Sequence, residues 1–429
     1  MSAGHGHVLV VGSGVIGAAC AYYLARDGWR VTVIDQGDFG RACSHGNCGF
    51  VCPSHVLPLA MPGAMRSALK ALFTPNSPLS IKLRFDPSLW AWLYRFARRC
   101  RPGLLLEAGQ AIQALLNSSR LLYPDLLKQE AIECEWQERG LLFVFQTRAA
   151  MEHYAETDKL LRDAFHLPAR RIDSDELTQQ EPALKPGLAG GWHYPSDAHL
   201  RPDRLMSEWR RVLERLGVTI KLHCSVDALQ TDGKHVRTAV VTTTSNSSGA
   251  VQKLREEVRA DAFVLATGAW TPSFARQLAC RIPIQPGKGY SITMPRPRHC
   301  PAVPLIFEEH RVAVTPMQSG YRLGSTMEFA GHDSTLKRRR LDLLREGARP
   351  YLLEPTCAPV EEEWFGWRPM TPDGLPIIGQ SPARDNVWIA AGHNMLGLSM
   401  APATGKLVVE LLGGRTPHVD PAPYSARRF

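Results

Sequence analysis

The chain has 429 residues, a length that favours two domains over one. Its 44% hydrophobic and 21% charged residues are the balance of a globular protein with a large core, which excludes disorder, collagen and coiled coil. With 50 Lys and Arg against 41 Asp and Glu, the formal charge is +9. That favours anionic partners (a dinucleotide, a carboxylate substrate, an acidic membrane surface or RNA) without choosing among them.

The continuous apolar run HVLVV (7–11) predicts a buried parallel strand, 15–27 a helix and RVTVID (30–35) a second strand: a βαβ unit at the start of the chain. Residues 8–25 imitate a signal-peptide core, but their glycines, their place beside the first residue and the missing basic segment argue against export. No other stretch reaches the ~18 apolar residues of a spanning helix. Helices are expected at 63–73, 88–100 and 107–130, a strand at 140–147, helices at 150–165, 174–180 and 203–216, and a strand at 218–222. The polar stretch 236–260, centred on TTTSNSSGA, predicts a hairpin with a long tip. ADAFVLATG (260–268) is a buried strand entering a glycine turn, and 303–327 alternates like an antiparallel sheet. A basic helix over 334–348, a strand at 386–392 and a closing helix at 398–412 complete the chain.

Buried strands thus gather at the two ends and at 260–268. The fold class this implies is α/β with an α+β insertion. A Rossmann-like nucleotide-binding domain is assembled from 1–60, 195–282 and 360–429. A substrate-binding or cap domain of 61–194 and 283–359 is built on an antiparallel sheet and helices. None of the ten cysteines form a C-x2-C pair. Cys43, Cys48 and Cys52 lie close together without a nearby fourth ligand, so no metal site is expected, and scattered thiols suit a reducing, cytoplasmic setting.

The strongest local signal is Gly12-Ser13-Gly14-Val15-Ile16-Gly17, which follows a strand and opens a helix. Gly12 permits the tight turn, Gly14 lets backbone approach a pyrophosphate, and Gly17 allows close helix–strand packing. The helix N-terminus turns its N–H groups toward phosphates. Asp35, followed by Gln36, ends the second strand, where a carboxylate binds ribose hydroxyls. This fingerprint does not separate FAD from NAD. Two further turns bear on that choice. Ala266, Thr267, Gly268 and Trp270 (ATGAW) follow a buried strand. Gly392 and Gly397, in GHNMLGLSMAPATG, lead into a second helix N-terminus. Two such termini suggest a long ligand, although each alone is also an ordinary βα turn.

With GSGVIG (12–17), VTVID (31–35), CSHGNCGFVCPS (43–54), KGYSIT (288–293), GWRPMTPDGLPIIG (366–379) and AAGHNMLGLSMAPATG (390–405), the chain resembles the FAD-dependent D-amino-acid oxidase/dehydrogenase superfamily. The likeness is particularly to bacterial D-amino-acid dehydrogenases, with glycine-oxidase-like C-terminal motifs. It implies an extended FAD with its adenine end near Asp35 and its ring system between the domains. Ser44, His45, Asn47, Cys48 and Gly49 match the loop that runs along the flavin. Gly366, Gly397, Leu398 and Ser399 match contacts to the ring, and Val226 matches a strand touching adenine. Arg368 matches the arginine that clamps the substrate carboxylate; the alternative is an ion pair with Asp373 that only fixes the turn.

Met395 departs from glycine oxidase, which carries arginine there, and leaves room for an apolar or cyclic substrate. Arg322 either holds the carboxylate, tunes the flavin or caps a strand edge. Tyr290 either offers its hydroxyl to substrate or packs. His55 is expected at the substrate, His45 and His393 are read as lining residues, and covalent flavin attachment to His45 is not expected.

The resemblance implies oxidative deamination of D-amino acids, including cyclic ones such as D-proline or hydroxy-D-proline. Hydride would leave Cα for flavin N5, giving an imine and then an oxo acid, with no protein base required and with electrons passing to a quinone or other respiratory acceptor. The rivals are an oxygen-using glycine or sarcosine oxidase, a flavin domain acting on tRNA, and a flavoprotein subunit inactive without a partner. No nucleic-acid partner is expected, since no stacking platform accompanies the basic run 337–340. In helix 88–101, Leu89, Trp92, Leu93, Phe96 and Cys100 share one face. It either faces the core with a solvated basic side, or sits on an anionic membrane as the dehydrogenases' peripheral association implies.

Overall fold

A computed structural model describes residues 6–74, 77–82, 84–247 and 250–429. Its first sheet runs Ile377–Gln380, Val387–Ala391, Ala262–Leu265, His7–Val11, Arg30–Ile34, Thr219–Lys221. All neighbours are parallel except the first pair. The buried apolar runs from both ends and the middle of the chain therefore share one sheet, and crossover segments cover its faces. Helices Val15–Arg26 and Gly397–Leu412 pack against each other on this sheet. Their approach depends on small residues: a Cβ at Gly405 would lie 2.6 Å from the Ala19 carbonyl oxygen.

The second sheet has nine strands. Its path is Glu362–Met370, Gln285–Met294, Gly320–Phe329, Val312–Met317, Leu305–Phe307, Leu141–Phe145, Gly190–Tyr194 and Arg170–Asp173, with Leu79–Ile81 beside Gly320–Phe329. One expectation is corrected here, and one strand escapes the sequence. Glu362–Met370, placed by sequence with the nucleotide-binding segments beginning at 360, pairs antiparallel with Gln285–Met294. Gln285–Met294 itself is buried along its whole length, yet Gly287, Lys288 and Gly289 interrupt its apolar run and hide it from a reading based on periodicity.

Helix Pro102–Gln129, expected in the cap, packs on the closing helix. The Tyr123 hydroxyl donates to the Leu398 carbonyl at 2.7 Å, and the Ala403 amide donates to Ser119 Oγ at 3.0 Å. The two halves thus share a core that a boundary at residue 60 does not divide.

A three-stranded ladder, Cys224–Asp232, His235–Ser247 and Ala250–Arg259, replaces the expected hairpin with a long tip. The Val and Thr residues of 240–244 carry the strand through the polar stretch, with Ser247 facing Ala250. Residues 248 and 249 lie outside the described residues. Among the described residues, no helix is long and apolar enough to cross a membrane.

Candidate active site

A cleft opens at the strand ends of the first sheet, and Trp367 and Arg368 of the second sheet close one side of it. Its floor is the first βα turn. Gly12 has φ +104°, and a Cβ there would lie 2.5 Å from the Ala266 carbonyl oxygen. A methyl group on Gly17 would overlap the Gly12 carbonyl oxygen. Both positions therefore need glycine for space, and Gly12 also for conformation. Gly14 caps helix Val15–Arg26 without a side-chain bond, and the first turn carries no acidic residue. The closing helix begins in the same way at Gly397. Two positive helix ends whose N-cap residues supply no side-chain bond thus border the cleft, which suits an elongated anionic ligand. At one end, Asp35 accepts from the Ser13 amide at 2.6 Å and hydroxyl at 2.8 Å, and from the Gly37 amide at 2.9 Å. These bonds hold its carboxylate at the strand end.

Most of the expected cofactor positions line this cleft. From the first turn come Gly12, Gly14, Val15 and Ile16, with Asp35 and Gln36 beyond the second strand. Ser44 and Asn47 reach it from the loop, Val226 from the ladder, and Ala266, Thr267, Gly268 and Trp270 from the middle turn. Gly397 and Leu398 complete the set. Ser44 Oγ also accepts from the Val15 amide at 2.9 Å, which ties the loop to the helix start.

The remaining positions stand behind the lining. Gly17 lies within the first helix. His45 turns its ring to Glu362 at 2.7 Å and holds that carboxyl below its ordinary range. Cys48 fills the space over Gly324. Gly49 (φ +72°) accepts from the Leu200 amide. Gly366 packs under the Trp364 ring, Gly392 against Thr371, and Ser399 donates to the Phe50 carbonyl at 2.9 Å. These residues shape the loop and turns rather than face the cleft.

At the other end, Arg368 is the one cation among the lining residues and Asp35 the one carboxylate. Arg368 Nη1 donates to the Thr326 carbonyl at 2.8 Å and lies 3.8 Å from Met327 Sδ; no carboxylate pairs with it among the described residues. Asp373, its expected rival partner, is engaged by Arg428 at 2.8 Å. Thr326 (φ +54°) and Ser325 (φ +125°) hold left-handed backbone where Arg368 is received, the kind of local strain that persists at ligand sites. Gly289 lies directly beneath the guanidinium: a methyl there would overlap its carbon and both terminal nitrogens. Met395 lines the cleft and is half exposed, and Asn394 and Trp367, which no motif singles out, line it too. Asn394 carries a recognisable signal. It sits at φ +53°, a conformation Asn tolerates, and its side chain bonds Thr371, Gly374 and Gly392 to fix the turn.

Three residues weighed as substrate contacts lie off the cleft. Arg322 is 1% exposed and outside the cleft. Its Nε donates to Thr293 Oγ1 at 2.9 Å, Nη1 to the carbonyls of Asn47 at 2.8 Å and His45 at 3.3 Å, and Nη2 lies 3.7 Å from Asp203. Tyr290 is buried, its hydroxyl donating to Glu328 at 2.8 Å. His55 lies outside the cleft, beside Phe143. His393 does line it, with Nε2 3.0 Å from Thr404 Oγ1. Burial lowers its pKa to about 3, so the ring is neutral.

The model of the family described as FAD dependent oxidoreductase matches residues 7–411. A D-amino acid dehydrogenase of Methylobacterium radiotolerans is 34% identical over 425 residues, covering 96% of this chain and 97% of that protein. One of Granulibacter bethesdensis is 30% identical, covering 98% and 99%. Among solved structures, glycine oxidase from Geobacillus kaustophilus aligns with TM-score 0.77 at 22% identity, over 99% of this chain and 100% of that one. L-proline dehydrogenase from P. horikoshii aligns with TM-score 0.70 at 18% identity, over 99% and 98%.

Proposed function

Because the chain belongs to the FAD dependent oxidoreductase family, we propose that it is a D-amino-acid dehydrogenase in which Arg368 binds the substrate carboxylate. The observation that carries this reading is an arginine facing the cleft with no carboxylate partner among the described residues. The glycine turn, the two helix N-termini and the Asp35 carboxylate fit the pyrophosphate and adenosine of FAD. When bound, FAD supplies the two-electron acceptor for the hydrogen on Cα.

The chain's own residues do the rest. Arg368 presents planar donors to the carboxylate and fixes which hydrogen on Cα points at the cofactor. No lining carboxylate stands beside it to hold an ammonium, and His393 adds no charge, so the site favours the neutral amine that must lose the hydrogen. Met395 leaves the mouth apolar, which suits a cyclic or apolar side chain such as that of D-proline or hydroxy-D-proline.

The test is anaerobic bleaching of the flavin by a panel of D- and L-amino acids that includes hydroxyprolines. Reduction by D-isomers is expected, with little peroxide released under air. Reduction by L-isomers or N-methylglycine alone would overturn the stereochemical reading, and stoichiometric peroxide would favour the oxidase alternative.

The acceptor on this reading is a quinone or another component at a membrane. Support comes from the surface beside helix Pro87–Arg99. Leu89 and Trp92 face the core, where Trp92 Nε1 donates to the Met370 carbonyl. Phe85, Trp90 and Tyr94 stand exposed, with Arg98 over the Tyr94 ring. Exposed aromatics beside arginines suit peripheral contact with an anionic surface.

A further inference from the structure

Segment 50–55 and the turn before residue 198 carry a cluster that the flavin reading does not use. Phe50 pairs with His199 and Val51 with Ala198, so the register sets Cys52 opposite Asp197. The turn at Cys52–His55, closed by the His55 amide on the Cys52 carbonyl, brings the imidazole to the same point. One ligand atom from each of Cys52, His55 and Asp197 lies within 4.8 Å of the other two. Asp197 is 0% exposed and Cys52 2%. Ser54 donates to Asp197 through its amide at 3.1 Å and its hydroxyl at 2.5 Å. No cation pairs with the Asp197 carboxyl among the described residues.

We infer that Cys52, His55 and Asp197 form a binding site for a divalent ion of the zinc class, with Cys52 Sγ, a His55 ring nitrogen and an Asp197 oxygen as its three protein ligands. Thiolate, imidazole and carboxylate are the donor types that zinc and ions of similar softness take together, and three protein ligands leave one position for water. A buried carboxyl without a cation is costly to ionise, and a dication removes that penalty. A bound dication takes the thiolate and the carboxylate, so binding releases to solvent whatever protons the Cys52 thiol and the Asp197 carboxyl carry. The site is linked to the cofactor cleft through the Cys52 amide, which donates to Ser399 Oγ in the first turn of the closing helix. Cysteine spacing cannot show this site, because its third ligand lies far away in the sequence.

The experiment uses FAD-loaded enzyme freed of adventitious metal, dialysed against zinc chloride and analysed for zinc per chain. One zinc per chain is expected. Zinc-edge X-ray absorption should show a single sulfur neighbour at about 2.3 Å with nitrogen and oxygen at about 2.0–2.2 Å. Cys52→Ser and His55→Phe, checked for an unchanged flavin spectrum, should each weaken zinc binding by about tenfold or more. Zinc should raise the melting temperature of the wild type and not of Cys52→Ser. Zinc retained equally by both variants, two or more sulfur neighbours, or no stoichiometric zinc on the wild type would overturn the assignment. The absorption spectrum needs no variant, so the test survives if either substitution fails to fold.

Discussion

Arg368 gives Nη1 to the Thr326 carbonyl and keeps its other donors for the cleft, so one side chain is both anchored and available. Charge-assisted bonds of this kind contribute about 1.5–3 kcal/mol each. Arg368→Met is therefore expected to lower kcat/KM by about 10²–10³-fold while the protein stays folded and yellow. Gly289→Ala tests the same point without removing the charge, since the added methyl displaces the guanidinium. KM should rise with FAD binding unchanged, whereas normal KM in this variant would show that the position of the arginine is unimportant.

His393 yields a pH prediction. Its pKa falls from the ordinary 6.5 to about 3 through burial, so the unfolded chain takes up a proton below 6.5 that the folded chain refuses until about 3. The associated stability is present above pH 6.5 and is lost as pH falls through that window. His393→Gln should flatten the unfolding free energy between pH 4 and 6 by up to about one proton, ~1.4 kcal/mol per pH unit, in denaturant titrations. Asp197, raised to about 7, has the opposite sign: its share of stability falls as pH rises from about 4 to 7.

The loop of residues 43–49 shows what an element requires beyond its own sequence. It has no regular secondary structure, and it is held by the buried Arg322 through the carbonyls of His45 and Asn47. Removing Arg322 as Arg322→Met leaves those two carbonyls without their donor, at about 1–3 kcal/mol for each group left unpaired, while Asp203 keeps its bond from Arg201. The expected result is a lower melting temperature and faster FAD loss, with KM unchanged in enzyme saturated with FAD. A raised KM under saturation would return Arg322 to the substrate site.

The sequence showed this arginine but not its direction. A strand sends alternate residues to opposite faces, and the face of Arg322 depends on the register with Gln285–Met294, a strand that its glycines and lysine concealed. The turns at Gly12, Ala266 and Gly397 were legible for the opposite reason. Each couples a buried run to a glycine within a few residues, so local chemistry alone places it. Asp35 was legible too, because it ends a strand adjacent to the first.

At the scale of the whole molecule, the proposed peripheral contact would give the net charge of +9 a local use at the surface of helix Pro87–Arg99. Its inward face matches the expected periodicity: Leu89 is buried, and Trp92, Leu93 and Phe96 pack with Met327, Phe329 and Met370. That packing takes the helix's regular apolar stripe into the core and leaves the outward residues to account for separately. Phe85, Trp90, Tyr94 and Leu106 are exposed there, and Leu69 stands exposed on helix Ala64–Phe73, which adjoins through the Cys100 thiol and the Met65 backbone. Arg98 and Arg101 are exposed beside them. An apolar set of this size rimmed by arginines gains from inserting into an interface, and each arginine near an anionic surface adds about 1 kcal/mol. The protein should therefore sediment with vesicles containing phosphatidylglycerol and not with pure phosphatidylcholine, and high salt should release it. Trp90→Ala combined with Tyr94→Ala should weaken sedimentation at every salt concentration. Arg98→Gln combined with Arg101→Gln should weaken it mainly at low salt. All four substitutions lie outside the cleft, so bleaching of the flavin by substrate in solution should remain normal in both double variants. Equal recovery with neutral and anionic vesicles, or recovery with neither, would assign this surface to contact with another protein.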